Sequence, residues 1–402
     1  MSIEKRTQVG IIGAGPSGQL LARLLHRKGI DVVVLERRSR EYVEGRIRAG
    51  VLEQGTAAVL ELAGAAERMR TDGLEHDGFL IAFDGRVARV DLQKYGNSPV
   101  FVYGQTEVTK DLNRLNEADG IPVHYGVEVT TIRDLDGDAA RIVYKVDGKE
   151  HELACDYAAG CDGYHGASRR SMPDSILREF KKTYPFGWLG VLSNTRPASH
   201  ELVYSNHSRG FALCSQRSTS VSRNYIQVPA DERVEAWSDD AFWDELRRRL
   251  PAEIADPLET GVSVEKSIAP LRSFIAEPLR CGRLFLVGDA GHIVPPTGAK
   301  GMNLAASDAA MLASSLGAFY ADRDSRGLER YSETALDRIW KAERFSWWFT
   351  MASHRLSDNP FDLRMQVAEL DYYTGTRAGL TSIAENYVGL PIEDPVTGGT
   401  IP

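Results

Sequence analysis

Gly13, Gly15, Gly18 and Glu36 are the first residues of this chain whose types and spacing imply chemistry. They lie in QVGIIGAGPSGQLLARLLHRKGIDVVVLER, where the apolar strand Val9–Ile12 runs into Gly-x-Gly-x-x-Gly. A helix with Leu20, Leu21, Leu24 and Leu25 on one side follows, then a strand, Val32–Leu35, delivering Glu36. The three glycines do different things. Gly13 makes the tight turn, Gly15 lets backbone approach a pyrophosphate, and Gly18 lets helix and sheet pack closely. The helix N-terminus offers unpaired N–H groups and positive dipole to phosphate, with Ser17 in its first turn. Glu36 stands where a carboxylate accepts from ribose hydroxyls. One such unit serves a nicotinamide or a flavin dinucleotide equally well.

Two further motifs select a flavin. LFLVGDAG (residues 284–291) is a buried strand presenting Asp289 on a glycine-flanked turn. The loop HIVPPTGAKG then opens a helix near Gly301, followed by Met302 and Asn303. This places a carboxylate on a polyol such as ribityl, and a helix N-terminus under a ring that becomes anionic on reduction. In CDGYHGASRR (residues 161–170), Asp162-Gly163 marks a second strand-to-turn junction, expected to enter a helix with a basic start. The cofactor expected from these motifs is non-covalent FAD.

A third group could hold an acid. In Phe211–Arg217, alternation puts Ser215 and Arg217 on one strand face; beyond the turn Ser218–Ser222, Arg223, Tyr225 and Gln227 share a face of the returning strand. A hairpin would converge Ser215, Arg217 and Tyr225, a guanidinium flanked by hydroxyls that suits a carboxylate. Spacing alone fits a solvated polar strand equally.

These residues need a large scaffold, and the 402-residue chain, 43% hydrophobic and 26% charged, can supply one. The expected class is α/β: a Rossmann-like FAD-binding domain intertwined with an antiparallel substrate sheet and a C-terminal helical region. Residues 1–180 form the FAD domain, lending part of the substrate sheet near 79–100. Residues 181–267 form the substrate sheet with a polar helix at Ala241–Leu250. Residues 268–320 return to the FAD domain with the active-site loop, and 321–402 are helical to about Asn386. A net charge of -8 argues against nucleic acid or an anionic membrane as main partner. Cys155, Cys161, Cys214 and Cys281 lack metal-ligand or disulfide spacing and read as buried thiols in a reducing compartment. No metal is expected. Without a secretory signal or a membrane-length apolar run, the expectation is a soluble cytoplasmic protein.

GAGPSG with Glu36, Asp162-Gly163 and Gly288-Asp289 resemble the three fingerprints of the class A flavin-dependent aromatic hydroxylases. The stretches RIRAGVLEQG, YGQTEV, YPFGWLG, RGFALCSQR, SIAPLRSF, GDAGHIVPPTGAKGMNLAASD and AENYVGLP are similar to members acting on phenolic acids, over nearly the whole chain. The resemblance implies that Ser215, Arg217 and Tyr225 bind the substrate carboxylate. Tyr204 and Tyr387 would hold and deprotonate its phenol, with His76 at the surface end of a proton chain. Pro296 would face the substrate hydroxyl, beside Thr297. Arg48, Gln105, Asn303 and Arg223 would contact the flavin, with Lys300 a nearby charge. It further implies NADPH and O2 as co-substrates, a flavin C4a-hydroperoxide as oxygen donor, and a homodimer.

NADPH has a residue-level argument as well. Arg37, Arg38 and Arg40 follow Glu36 directly, with Arg46 and Arg48 close behind, a cluster suited to a 2′-phosphate and pyrophosphate in an otherwise acidic protein. Tyr42, His165, Arg169 and Arg272 join them by resemblance. The chain departs from the family pattern at Met302, where Leu is expected, and at Asn224, where Tyr is expected. In IWKAERFSWWFTM (residues 339–351) the three tryptophans are expected to be covered, by core or by a second subunit. Turnover of another phenolic or aminobenzoic acid, or binding of FAD and an aromatic acid without turnover, stays open at this level.

Overall fold

The strand Arg6–Ile12 is buried along nearly its whole length because parallel strands flank it on both sides, Val32–Glu36 and Lys149–Gly160. Strands covered on both faces are apolar, which is how its inner part Val9–Ile12 reads after the polar start Arg6–Gln8. The computed structural model describes residues 3–46 and 50–401. Among these, the first sheet has eight strands, with Leu284–Leu286 parallel to Lys149–Gly160 and Val123–Tyr125 parallel to Val32–Glu36. Ile12 pairs with Gly160 and Gly160 with Leu286, so Gly13, Asp162 and Asp289 emerge together at the C-terminal ends of adjacent strands. Open α/β sheets bind their ligands at that edge. Helix Pro16–His26 takes Pro at its first position, buries Leu20, Leu21, Leu24 and Leu25, and packs against helix Gly301–Asp322.

The second eight-stranded sheet is mostly antiparallel. It runs from His292–Ile293 through Ser263–Glu277, Arg178–Ser193, Ser222–Pro229, Ala212–Gln216 and Val203–Ser205 to Gly78–Phe83 and Arg86–Asp91. One face carries Val203, Ala212, Cys214 and Ile226 and is covered by helix Asp239–Arg249. That helix starts two residues before the expected Ala241 because Ser238 caps it, its side chain accepting from the Ala241 N–H at 3.1 Å. The opposite face carries Tyr204, Leu213 and Tyr225 toward the helices Arg326–Ser353 and Arg377–Val388. The helical region ends at Val388, two residues past the expected Asn386.

One expectation fails. Asp162-Gly163 does not lead into a helix; only a single 3-10 turn, Arg169–Ser171, forms. Pro173 forces Met172 into the extended region and ends the turn. Trp340 and Trp347 are about two-fifths exposed, on the side of Arg326–Ser353 that faces away from the core, whereas Trp348 is half-buried. The helix is long enough to have an outer stripe of its own, and those two indoles fall on it. Cys155, Cys161, Cys214 and Cys281 are all free and buried. No helix among the described residues is long and apolar enough to cross a membrane.

Candidate active site

At the phosphate end, Gly13 adopts φ +103°, and a Cβ there would meet the Cys161 carbonyl oxygen at 2.4 Å. A Cβ on Gly18 would overlap the Gly13 carbonyl, at 2.0 Å, so helix and turn touch through hydrogen alone. Gly15 differs: a Cβ there meets nothing within 4 Å. No protein atom requires glycine at that position, so the open space before the helix N-terminus fits a pyrophosphate. Glu36 is buried, with Oε2 accepting from Ala14 N at 2.8 Å and Oε1 from Arg38 N at 2.7 Å. Asp289 is half-buried, and no side chain or backbone group among the described residues hydrogen-bonds its carboxylate. Its turn is pinned from beneath: the Gly288 N–H donates to Asp308 Oδ2 at 2.8 Å, which also meets His292 Nε2 at 2.6 Å. Asp162 instead serves its own loop, taking the N–H and hydroxyl of Ser168, both at 2.9 Å.

The substrate face is a row across adjacent strands. Tyr204 pairs with Leu213, Leu213 with Tyr225, and Tyr225 with Gly190. Gly190 leaves room for the Tyr225 ring, since a Cβ would approach it to 2.7 Å. Ser215 stands beside this row opposite Arg223, its hydroxyl donating to the Arg223 carbonyl at 2.6 Å. Arg217 follows at the strand end and hydrogen-bonds Tyr225; burial pulls its pKa down from the usual guanidinium range. Tyr204 and Tyr387, brought from 183 residues apart, meet hydroxyl to hydroxyl at 2.9 Å. Both are fully buried, and that burial raises both phenol pKa values. Arg223 is paired with Glu265 and lies 5.2 Å from the Tyr225 ring centre. Asn224 is on the far face, bonded to Ser222 Oγ at 3.1 Å, and does not reach this pocket.

Between the two halves runs the loop before helix Gly301–Asp322. The Pro296 carbonyl closes a 3-10 turn with the Ala299 N–H at 2.9 Å, and Thr297 accepts from Thr350 Oγ1 at 2.8 Å. Lys300 is buried and donates to Glu53 Oε1 at 2.6 Å and to the Tyr387 carbonyl at 3.0 Å. Burial lowers its pKa against the opposing pull of Glu53. Arg338 holds the other Glu53 oxygen at 2.9 Å. Asn303 spends its whole amide on the frame: Oδ1 accepts from Glu53 N and Thr56 Oγ1, and Nδ2 donates to the Val51 and Ala299 carbonyls. Among the described residues of this helix start, the backbone N–H groups are what is left to meet a flavin ring. Met302 is buried in the core of the first sheet. Together, the open cradle at Gly15, the unengaged Asp289 and this helix N-terminus fit FAD.

The family model described as an FAD binding domain matches residues 6–346. The p-hydroxybenzoate hydroxylase of Acinetobacter baylyi is 52% identical over 390 residues, covering 96% of each chain. The chain belongs to the class A flavin-dependent aromatic hydroxylases. A 3-(3-hydroxy-phenyl)propionate/3-hydroxycinnamic acid hydroxylase of Burkholderia cenocepacia is 26% identical over 77% of this chain and 56% of its own length. The crystal structure of a p-nitrophenol 4-monooxygenase from Pseudomonas putida shares the fold, with a TM-score of 0.79 at 20% identity, over 96% of this chain and 99% of that one.

In this hydroxylase the remaining sequence-derived residues separate into two kinds. Arg37, Arg38 and Arg46 are exposed, and Arg38 and Arg46 stack over the exposed Tyr42 at 5.1 and 6.0 Å. His165 is exposed and Arg272 half-exposed, the latter over the Tyr164 ring at 5.1 Å. Arg169 and Arg40 are committed instead. Arg169 bonds Glu179, the Ala290 carbonyl and the Tyr164 carbonyl; Arg40 bonds Glu44 and Glu117. Gln105 starts helix Gln105–Ala118 with a half-buried side chain. Arg48 lies outside the described residues. His76 is not at the surface: it is buried, its short strand paired at Val100 and its Nε2 2.6 Å from Gln216 Oε1 of the second sheet. Burial lowers its pKa.

Several functional supports carry no mark of their role in the sequence. Glu53, Asp308, Gly190 and Gln216 lie inside the stretches that resemble the family, but no spacing signals what they do, and Arg338 lies outside those stretches. Gly190 leaves a further trace, as a glycine interrupting an apolar strand.

Proposed function

We propose that this hydroxylase converts 4-hydroxybenzoate to 3,4-dihydroxybenzoate, with NADPH as hydride donor and O2 as oxygen source. FAD, once held by Gly13, Gly15, Ser17, Gly18, Glu36, Asp289 and the helix start at Gly301, supplies the redox chemistry. Arg217, with Tyr225 and Ser215, binds the carboxylate as a planar fork flanked by hydroxyls. The ring then extends along the Tyr204–Leu213–Tyr225 row and places its phenol at Tyr204, which accepts the phenolic proton as it passes its own to Tyr387, and Tyr387 releases one toward solvent. Burial keeps both tyrosines neutral, so each can donate and accept without storing charge. A substrate phenolate is electron-rich at the ortho carbon, where oxygen is inserted. The observation that carries this reading is the buried 2.9 Å Tyr204–Tyr387 contact on the same sheet face as Tyr225. Carboxylate binding alone would not need it.

The exposed stack of Arg38, Arg46 and Tyr42, with Arg37, His165 and Arg272, receives NADPH. Trp340 and Trp347, with exposed Phe361, Met365 and Tyr372, face a second subunit in a cytoplasmic homodimer. The deciding experiment is a screen of substituted benzoates for stimulated NADPH oxidation with product identification. 4-Hydroxybenzoate should stimulate most and yield the 3,4-diol, and NADH should serve less well. Stronger, coupled turnover of a different benzoate overturns the substrate assignment.

A further inference from the structure

The helix Arg326–Ser353 ends inside the molecule, and its last turn touches both halves of the site. Thr350 Oγ1 donates to Thr297 in the active-site loop at 2.8 Å. Phe349 packs on Tyr204 with ring centres 4.8 Å apart. The next turn delivers His354, which is fully buried. Its imidazole stacks on Phe211 at 4.2 Å and on Phe186 at 4.8 Å.

The two ring nitrogens have partners that permit one protonation state. An indole N–H can only donate, so Nε2 accepts from Trp188 Nε1, at 2.7 Å. A carbonyl can only accept, so Nδ1 carries the hydrogen toward the Thr350 carbonyl, at 3.0 Å. A second proton on Nε2 would face the indole N–H. Burial agrees, pulling the imidazole pKa down to about 3. The Trp188 ring in turn packs on Tyr225, with centres 5.1 Å apart, and Tyr225 hydrogen-bonds Arg217.

Phenylalanine would stack in this place as well as histidine. What it lacks is an acceptor for the Trp188 N–H, and a buried donor left without a partner is costly enough to rotate the indole. We propose that His354 is a positioning residue for the substrate pocket. Its neutral Nδ1–H tautomer fixes the Trp188 indole, and through it Tyr225, while Thr350 ties the same assembly to Thr297. The inference rests on reading Arg217 and Tyr225 as the carboxylate clamp.

The test compares wild type, H354F, H354Q, W188F and the H354F/W188F double variant as FAD-loaded enzymes. Each is titrated with 4-hydroxybenzoate by flavin fluorescence, and product formed per NADPH consumed is measured. H354F should keep FAD, raise the substrate Kd about tenfold and lower the product ratio, because the clamp is misaligned while the dinucleotide fold is intact. H354Q, whose side-chain carbonyl accepts the indole N–H, should stay within about threefold of wild type. In the W188F background, H354F should add nothing, since the two side chains act as one unit. Histidine 15N spectra should show His354 protonated on Nδ1. A wild-type Kd and product ratio in H354F, equal impairment in H354Q, or protonation on Nε2 overturns the proposal. If H354F does not fold, W188F decides, and an unchanged Kd there is equally fatal. Failure of wild type to bind 4-hydroxybenzoate defeats the substrate assignment alone, and the tautomer then decides for His354.

Discussion

Tyr204→Phe should separate substrate binding from hydroxylation. Tyr204 is 2% exposed, and its hydroxyl meets only Tyr387 among the described residues, at 2.9 Å. Phenylalanine keeps the ring contacts with Phe79 at 5.4 Å and Phe349 at 4.8 Å, so the wall of the pocket survives. The carboxylate clamp is untouched, and losing one neutral hydrogen bond to the substrate costs about 1 kcal/mol, or roughly fivefold in Kd. The reaction suffers far more. A positioned proton acceptor is worth about 10²- to 10⁴-fold, and the neutral phenol left behind is a poor nucleophile. Release of oxygen as hydrogen peroxide needs no substrate proton and should take over. The assay follows NADPH oxidation, aromatic product by chromatography and peroxide by catalase recovery, all on one reaction. NADPH consumption should persist while product falls and peroxide rises to match it. Coupling like wild type in Tyr204→Phe would refute the proton route and leave Tyr204 a packing residue.

Arg217→Lys should raise the substrate Kd at least about tenfold, since a point-charge ammonium cannot reproduce the bidentate fork; a change under about fivefold in fluorescence titration would return Arg217 to an ordinary charged strand residue. Gly15→Val should abolish FAD retention, because its Cβ would enter the open cradle before the helix; stoichiometric FAD in the purified variant sinks that assignment. Glu343 is buried near His292 and Lys182, and burial pushes its pKa up to about 7 from 4.5. A raised carboxyl pKa gives stability that is present below about pH 4.5 and lost as pH climbs through about 7, up to ~3 kcal/mol in all. Glu343→Gln should therefore flatten the fall in Tm over that window, and an unchanged slope would refute the burial argument.

The sequence announces elements whose local chemistry is self-contained. The strand–glycine–helix–strand unit needs only its own residues, and the hairpin Ala212–Gln216 with Ser222–Pro229 follows from alternation around a polar turn. Long-range polar pairing is different in kind. Glu53 lies 247 residues from Lys300 and 285 from Arg338, and nothing local to any of them signals a shared buried site. The failed helix after Gly163 shows the converse limit. A basic stretch after a glycine turn resembles a helix start, but Pro173 and the Ser168–Asp162 bonds spend that segment on a tight loop. Trp340 and Trp347 show a third limit: residue type says covered but not by what, and the helix phase puts them on the outside of a single chain.

The same accounting of hydrogen bonds sorts the site itself. Asn303, Arg169 and Asp162 resemble ligand-binding residues by motif, yet the fold already engages the Asn303 amide, the three guanidinium nitrogens of Arg169 and one Asp162 oxygen. Such groups bind a ligand only by giving up protein partners, a cost of about 1–3 kcal/mol for each one buried. Among the described residues Gly15 and Asp289 would give up none, and the hydroxyls of Tyr204 and Tyr387 hold only each other. The residue types of a motif therefore serve two ends at once: residues with filled valences build a rigid frame, and those with open valences meet the ligand. Lys300 stands at the junction. Its ammonium is held by Glu53 and the Tyr387 carbonyl, so it fixes the last turn of the helix that carries the Tyr387 phenol while adding a buried charge beside the loop. A substitution at Lys300 would thus disturb position and field together. Arg338 couples the two from the other side, since it donates both to Glu53 and to the Leu390 and Pro391 carbonyls just beyond the Tyr387 helix, so Arg338→Met would likewise loosen Glu53 and the segment after Tyr387 at once.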